Sequence, residues 1–128
     1  MLPASVENLC DGAFECSGLT RVVLSSSLTS IEKDVFRGCR SLKSVMIPEG
    51  VTDIGEFAFC GCDGLQEVSI PSSVTGIGDY AFNECKKLTT IQISNCATTL
   101  GNYTFKGCSE LSSATIGNNV KTIGNYTF

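Results

Sequence analysis

The chain has 128 residues, of which 42% are hydrophobic and 17% charged, and its formal net charge is −4 at pH 7. This apolar content with so modest a charge excludes intrinsic disorder and favours one compact domain. Nucleic acid binding is not expected, because it needs clustered Lys and Arg, and the nine such residues are scattered. No apolar run approaches the ~20 residues of a membrane-spanning helix, and the first residues lack the basic and long apolar regions of a signal peptide.

A 23-residue repeat runs through the chain, and a period of this length predicts a solenoid. Three residue types recur in phase. They are Leu19, Leu42, Leu65, Leu88 and Leu111; Cys16, Cys39, Cys62, Cys85 and Cys108; and Phe36, Phe59, Phe82, Phe105 and Phe128. The first copy has lost one residue between Phe14 and Cys16, so its front half is shifted by one position.

Each repeat contains two strand-like segments and a turn. Residues 74–77 form a short strand-like segment that ends at Gly78. Residues 79–85 follow and have room for one helical turn or a 3₁₀ turn. Residues 88–93 alternate apolar and polar side chains towards their end, which predicts a short strand. In two copies the equivalent strand is followed directly by Pro48 or Pro71, whose missing N–H ends a strand ladder.

One repeat cannot bury its own apolar residues, whereas stacked repeats place Leu on Leu and Phe on Phe about one strand spacing (~4.8 Å) apart. The predicted fold class is therefore a leucine-rich-repeat solenoid of short parallel β-strands with short helical or 3₁₀ turns, α/β or mainly β by assignment. A single array of about five and a half repeats spans residues 1–128. Because both ends are abrupt, we expect a piece of a longer array, or else a short protein whose uncapped ends self-associate.

The best-preserved copy runs from Leu65 to Leu88. It resembles the BspA-like leucine-rich repeats, whose unit is similar to Leu-x-x-Ile-x-Ile-Pro-x-x-Val-x-x-Ile-Gly-x-x-Ala-Phe-x-x-Cys-x-x-Leu. Other copies depart from this unit at single positions, namely Asn8 in the shifted first copy, Ser94 and Gly117 in place of Pro, and Ala114 in place of Val or Ile. The resemblance implies a right-handed superhelix and an extracellular or cell-surface location, with adhesion and host-protein binding as recurring roles.

Two columns of strand residues are expected to face solvent on the parallel-strand side of the solenoid. The first column contains Arg21, Ser44, Glu67, Thr90 and Ser113, and the second contains Val23, Met46, Ser69, Gln92 and Thr115. This face is either a platform that binds an extended protein surface or a row of Ser and Thr that simply suits exposed β-structure. Neither column contains an aromatic hot-spot residue, so tight binding by this segment alone is not predicted.

Five of the eight Cys share one repeat position and are predicted to stack inward as buried thiols, because neighbours in such a column suit disulfide geometry poorly. The other three, Cys10, Cys60 and Cys96, lie off this column and are the candidates for reactivity or crosslinking. A metal site is not expected, since structural zinc needs four ligands at suitable spacing and the chain has no His.

Asn102 and Asn125 each begin an N-glycosylation sequon, Asn-Tyr-Thr. Repeat copying also explains these sequons, because they replace residues 79–81 at the same repeat position. Without His, the Ser-His-Asp and Cys-His catalytic schemes are unattainable, and the single periodic glycines indicate turns rather than a phosphate loop. The sequence therefore predicts neither an enzyme nor a cofactor.

Together these patterns predict a protein-binding repeat segment of a surface or secreted, adhesin-like protein. Its expected partner is a protein, and neither nucleic acid binding nor membrane insertion is expected. The binding role follows from the repeat architecture, whereas the location follows only from the resemblance. The alternative hypothesis is an intracellular scaffold or structural protein that uses the same face.

Overall fold

The computed structural model describes residues 1–128, which form nine short β-strands and no helix. Four strands have three residues: β2 (Ser44–Met46), β4 (Glu67–Ser69), β6 (Thr90–Gln92) and β8 (Ser113–Thr115). Five have two residues: β1 (Ser30–Ile31), β3 (Asp53–Ile54), β5 (Gly76–Ile77), β7 (Thr99–Leu100) and β9 (Thr122–Ile123). The structure contains no helix that is long and apolar enough to span a membrane.

Every strand pairs in parallel with the equivalent strand one repeat away. Ile31 lies beside Ile54, and Val45 lies beside Val68, each pair being one 23-residue repeat apart. The two-residue strands form one five-stranded sheet in the order β1-β3-β5-β7-β9, and the three-residue strands form the pairs β2-β4 and β6-β8. The predicted parallel-strand solenoid is therefore confirmed, with a mainly β assignment.

Stacked phenylalanine rings form the centre of the core. Phe14, Phe36, Phe59, Phe82, Phe105 and Phe128 follow one another with centroid separations of 5.5, 5.2, 5.2, 5.5 and 5.4 Å. The middle four rings are buried, and so are Leu42, Leu65 and Leu88 of the Leu column. Burial of one such side chain contributes roughly 1.5–3 kcal/mol, and each ring depends on its neighbours for that burial. The end coils lack one neighbour, and Ile123 and Phe128 are correspondingly exposed.

The segment equivalent to residues 79–85 is a run of hydrogen-bonded turns in each coil, not the predicted helical or 3₁₀ turn. Its N–H groups donate alternately to the next coil and to the residue three positions back. Donation to the next coil joins Phe57 to Asp79, Phe59 to Ala81 and Gly61 to Asn83, at 3.0, 2.7 and 2.8 Å. Phe57 and Gly61 have φ values of 57° and 72°. A right-handed helix cannot continue through such left-handed residues.

The first coil corrects the predicted position of the missing residue. Ser17, not Cys16, occupies the Cys column, since its Oγ lies 3.3 Å from Cys39 Sγ. Cys16 takes the left-handed position (φ 55°) that Gly38 fills in the next coil, and its side chain is exposed. The Ser17 N–H donates to the Phe14 carbonyl at 3.0 Å, as Cys39 does to Phe36. This turn keeps its length, so the deletion lies between Ser17 and Leu19.

Phe82→Ala tests whether the stacked column stabilises the fold. We expect the free energy of unfolding to fall by about 3–5 kcal/mol, because a large cavity is left between two rings that cannot collapse together. Urea unfolding followed by circular dichroism measures this change.

Ser69→Ala is the matched control, since Ser69 is exposed on β4 of the same stack. We expect it to change the free energy of unfolding by less than ~0.5 kcal/mol. Equal losses in the two variants would contradict the assigned register.

Candidate functional site

The ten predicted face residues are all exposed. Strand register places Ser44 beside Glu67 and Met46 beside Ser69. It likewise aligns the equivalent residues of β6 and β8, which are Thr90 with Ser113 and Gln92 with Thr115. Arg21 and Val23 belong to the first coil, where no regular strand forms. We call these ten residues the strand face. The structure brings them together as two columns, and their role in binding stays a prediction.

Backbone pairing beneath the strand face is interrupted at every second coil. The Ile47 N–H donates to the Ser69 carbonyl at 3.1 Å, and the Ile93 N–H donates to the Thr115 carbonyl at 2.8 Å. The equivalent bonds from Leu24 to Met46 and from Ile70 to Gln92 are absent. The three-residue strands therefore join in pairs, whereas the two-residue strands on the other side form a continuous sheet.

Two depressions lie where the strand pairing is interrupted. The first, which we call the apolar cleft, has a volume of about 420 Å³. Its lining is Val22, Val23, Leu24, Ser26, Met46, Ile47, Pro48, Glu49, Ser69 and Pro71. The second, which we call the central groove, has a volume of about 650 Å³ and lies over β4, between Met46 and Gln92. Met46 borders both depressions and is 76% exposed, so it stands as a ridge between them.

Both depressions are acidic in character. Glu49 is the only charged residue of the apolar cleft, and Glu67 is the only charged residue of the central groove. Neither carboxylate forms an ion pair, because the three salt bridges of the chain join other residues: Lys33 with Glu56, Arg37 with Asp34, and Lys86 with Glu84. The site thus has two unpaired negative charges and no cation lining it.

A second aromatic column was missed by the sequence analysis. Phe57, Tyr80, Tyr103 and Tyr126 stack outside the core with centroid separations of 4.7, 4.8 and 5.2 Å. All four have φ between 52° and 57°, a conformation that bulky residues adopt rarely. The 23-residue spacing of these four aromatic residues is the sequence signal that could have identified the column. Stacking covers most ring faces, and Arg37 and Lys106 lie over the rings of Phe57 and Tyr103 at 4.9 and 5.1 Å.

Four of the predicted ladder cysteines are buried. Cys39, Cys62, Cys85 and Cys108 donate S–H hydrogen bonds of 3.0–3.2 Å to phenylalanine carbonyls of the preceding coil. Burial raises the pKa of the Cys62 and Cys85 thiols well above the usual value. These thiols therefore stay protonated and act as small apolar groups with one donor.

The remaining four cysteines lie at the surface. Cys10, Cys16 and Cys96 are exposed and Cys60 is half-buried, and none of them forms a disulfide. Burial raises the pKa of the Cys60 thiol as well, although the positive charge of Arg37 lowers it in part. No group of three or more potential metal ligands converges anywhere in the chain.

Both sequons contribute to hydrogen bonding between coils. Asn102 Nδ2 donates to the Asp79 carboxylate at 3.3 Å, and Asn102 Oδ1 accepts from the Asn125 N–H at 2.7 Å. Thr104 and Thr127 are buried, and each hydroxyl donates to the glycine carbonyl three residues earlier. The sequon residues therefore have a structural role, and glycosylation at Asn102 or Asn125 stays a prediction.

Known proteins share this repeat and this fold. The BspA-type leucine-rich repeat region matches in six copies over residues 1–52 and 29–128. A leucine-rich cell surface protein of Faecalibacterium prausnitzii is 33% identical, with a TM-score of 0.74 over 80% of this chain and 28% of that one. A leucine-rich repeat protein of Bacteroides ovatus is 29% identical, with a TM-score of 0.74 over 96% of this chain and 38% of that one.

The leucine-rich repeat protein of T. pallidum, at 22% identity and a TM-score of 0.75, covers 98% of this chain and 67% of that one and shows the fold alone. The present chain spans less than half the length of the first two structures. No curated protein matches the sequence.

Alkylation of the native protein tests the placement of the thiols. With iodoacetamide at neutral pH, we expect Cys10, Cys16 and Cys96 to react and Cys62 and Cys85 to stay unmodified until urea unfolds the chain, because only accessible thiolates are nucleophilic. Peptide mass spectrometry identifies the modified sites. A buried Cys16 would restore the position of the deletion expected from the sequence.

Stability should also depend on alkaline pH. An exposed thiol ionises near pH 9.0, whereas Cys62 and Cys85 ionise at higher pH in the folded chain. The unfolded chain therefore loses these protons first, and the free energy of unfolding falls as the pH rises above about 9. Urea unfolding at several pH values measures the slope. Cys62→Ala should make the dependence of the free energy of unfolding on pH shallower. An unchanged slope would contradict the raised pKa of Cys62.

Proposed function

The chain belongs to the family of BspA-type leucine-rich repeat proteins, and we propose that it binds other proteins through the strand face. Repeats of this family generally form structural or binding modules rather than enzymes. Solenoids present extended surfaces whose side chains vary without disturbing the stacked core. The proposed activity is therefore recognition, without catalysis.

The apolar cleft beside Met46 is the observation that carries this proposal. Exposed Met46 and Val23 border a depression lined largely by apolar side chains. Interfaces gain most of their affinity where an anchor side chain fills a pocket that excludes water. Methionine is suited to such a rim, because its flexible and polarisable side chain adapts to different partners. The hydroxyl and amide groups of the neighbouring columns supply the polar surroundings of that anchor.

For location, we propose the cell surface or the extracellular space and an adhesin-like role. The support is the Faecalibacterium prausnitzii protein, which is described as a leucine-rich cell surface protein and is 33% identical to this chain. A second candidate is an intracellular scaffold that uses the same face. The observation in its favour is that all eight cysteines are free, as is typical of proteins in reducing compartments.

Selection from a random peptide library displayed on phage tests the binding face. We expect selected clones to bind the native chain and to lose at least about tenfold in affinity for Met46→Glu, because the change places a charge at the mouth of the apolar cleft. Affinities are measured with the corresponding synthetic peptides.

Thr99→Glu is the matched control, since Thr99 is an exposed strand residue of β7 in the five-stranded sheet. It should leave the affinities unchanged. Clones whose affinity is unchanged by Met46→Glu but falls when Tyr103 is substituted would place the binding face on the outer aromatic column and refute the proposal.

A further inference from the structure

We infer that the strand face recognises an extended, basic protein segment in which an apolar side chain is followed, two residues later, by Lys or Arg. The apolar side chain fills the apolar cleft, and the cation lies in the central groove against Glu67. This inference rests on the proposed function, since it names the partner of the same face.

The charge of the partner follows from the charges of the two depressions. Glu67 is the only charged residue of the central groove, and no cation of the chain neutralises it. Glu49, at the edge of the apolar cleft, accepts only a long hydrogen bond of 3.5 Å from Ser72. A concave surface of one sign strengthens its field towards a ligand of opposite sign. An acidic segment would be repelled by both carboxylates, and a neutral one would leave them without partners.

The chemistry of the groove also suits a long cationic side chain. Ser44, Thr90 and Gln92 line the groove with oxygen atoms that can accept hydrogen bonds from an ammonium or guanidinium group. Met46 borders the groove with an exposed apolar side chain. The methylene stem of Lys or Arg packs on such a surface while the charged end stays close to a carboxylate.

The spacing of the two sites fixes the spacing of the motif. The apolar cleft lies mainly between the first and second coils of the face, and the central groove lies over the third coil, which carries Glu67. Coils follow one another at about 4.8 Å, so Glu67 lies roughly 7 Å from the apolar cleft, which an extended segment spans in two residues. Side chains two residues apart in an extended segment also point to the same side, so both can reach the strand face.

Arg21 fixes the direction of the bound segment. It lies in the first coil, at the apolar end of the face, and forms no ion pair. A cation at that end would be repelled, so the basic residue points towards Glu67 and the apolar residue towards Arg21.

Synthetic peptides test this inference directly. The probe is an acetylated and amidated peptide that contains Leu-Ser-Lys, compared with the same peptide carrying Gln or Glu in place of Lys, and with the reversed order Lys-Ser-Leu. Isothermal titration or NMR titration against the native chain gives the dissociation constants. We expect the Lys peptide to bind about fivefold more tightly than the Gln peptide, as one partly exposed ion pair allows, and more tightly than the reversed peptide.

Two variants identify the contact. Glu67→Gln should abolish the difference between the Lys and Gln peptides, and Glu67→Lys should make the Glu peptide the tighter binder. Both changes fall at an exposed position, so folding is expected to persist and is checked by circular dichroism. Equal binding of the Lys and Gln peptides, no binding of the Lys peptide at millimolar concentration, or a difference that survives Glu67→Gln would overturn the inference.

The phage selection separates this inference from the proposal on which it rests. Clones that depend on Met46 but show no Lys or Arg two residues after an apolar position would refute the basic partner and leave the strand face as the binding surface. Clones that do not depend on Met46 would refute both.

Discussion

Direct stacking of each residue on its counterpart in the next coil is the constraint on which the whole molecule depends. It places phenylalanine rings 5.2–5.5 Å apart and aligns the N–H of one coil with a carbonyl of the next, as between Phe59 and Ala81. It also lets the Cys62 thiol donate to the Phe36 carbonyl. No coil buries its own apolar residues, so the fold is stabilised by the contacts between coils. A cavity or an unpaired charge in one of these columns would therefore affect both neighbouring coils.

This constraint explains which features could be predicted from the sequence. A fixed period determines which residues are neighbours, so the Phe and Leu columns and the pairing of Met46 with Ser69 were predictable. The deletion in the first coil was not, because the spacing to Leu19 suggested Cys16 for the Cys column, whereas the turn hydrogen bond from Ser17 to Phe14 determines the register. The interruption of pairing at every second coil was equally unpredictable. The interruption depends on the distance between neighbouring backbones, whereas the repeat pattern of the sequence is the same in every coil.

Left-handed residues explain the largest difference between the expected and the observed elements. The stretch from Gly78 to Cys85 has the length of a helical turn, yet Tyr80 and Glu84 have φ values of 57° and 59°. Bulky side chains make this conformation costly, by roughly 1–2 kcal/mol per residue. Stacking of Tyr80 on Phe57 and Tyr103 offsets part of that cost. The coil-to-coil hydrogen bonds of alternate N–H groups offset more of it, since a helix would direct those groups along the chain instead of towards the next coil.

The outer aromatic column and the strand face therefore differ in the groups that they leave free for a partner. In the outer aromatic column, ring faces already contact one another, and Lys33 and Arg37 are already paired with carboxylates. On the strand face, by contrast, Glu67 has no ionic partner and the Met46 side chain is largely exposed. Substitutions there leave the stacked columns intact and are therefore expected to have little effect on stability. A surface whose energetics are separate from those of the core, and which has an apolar depression beside an unpaired charge, is suited to selecting one class of protein segment over another.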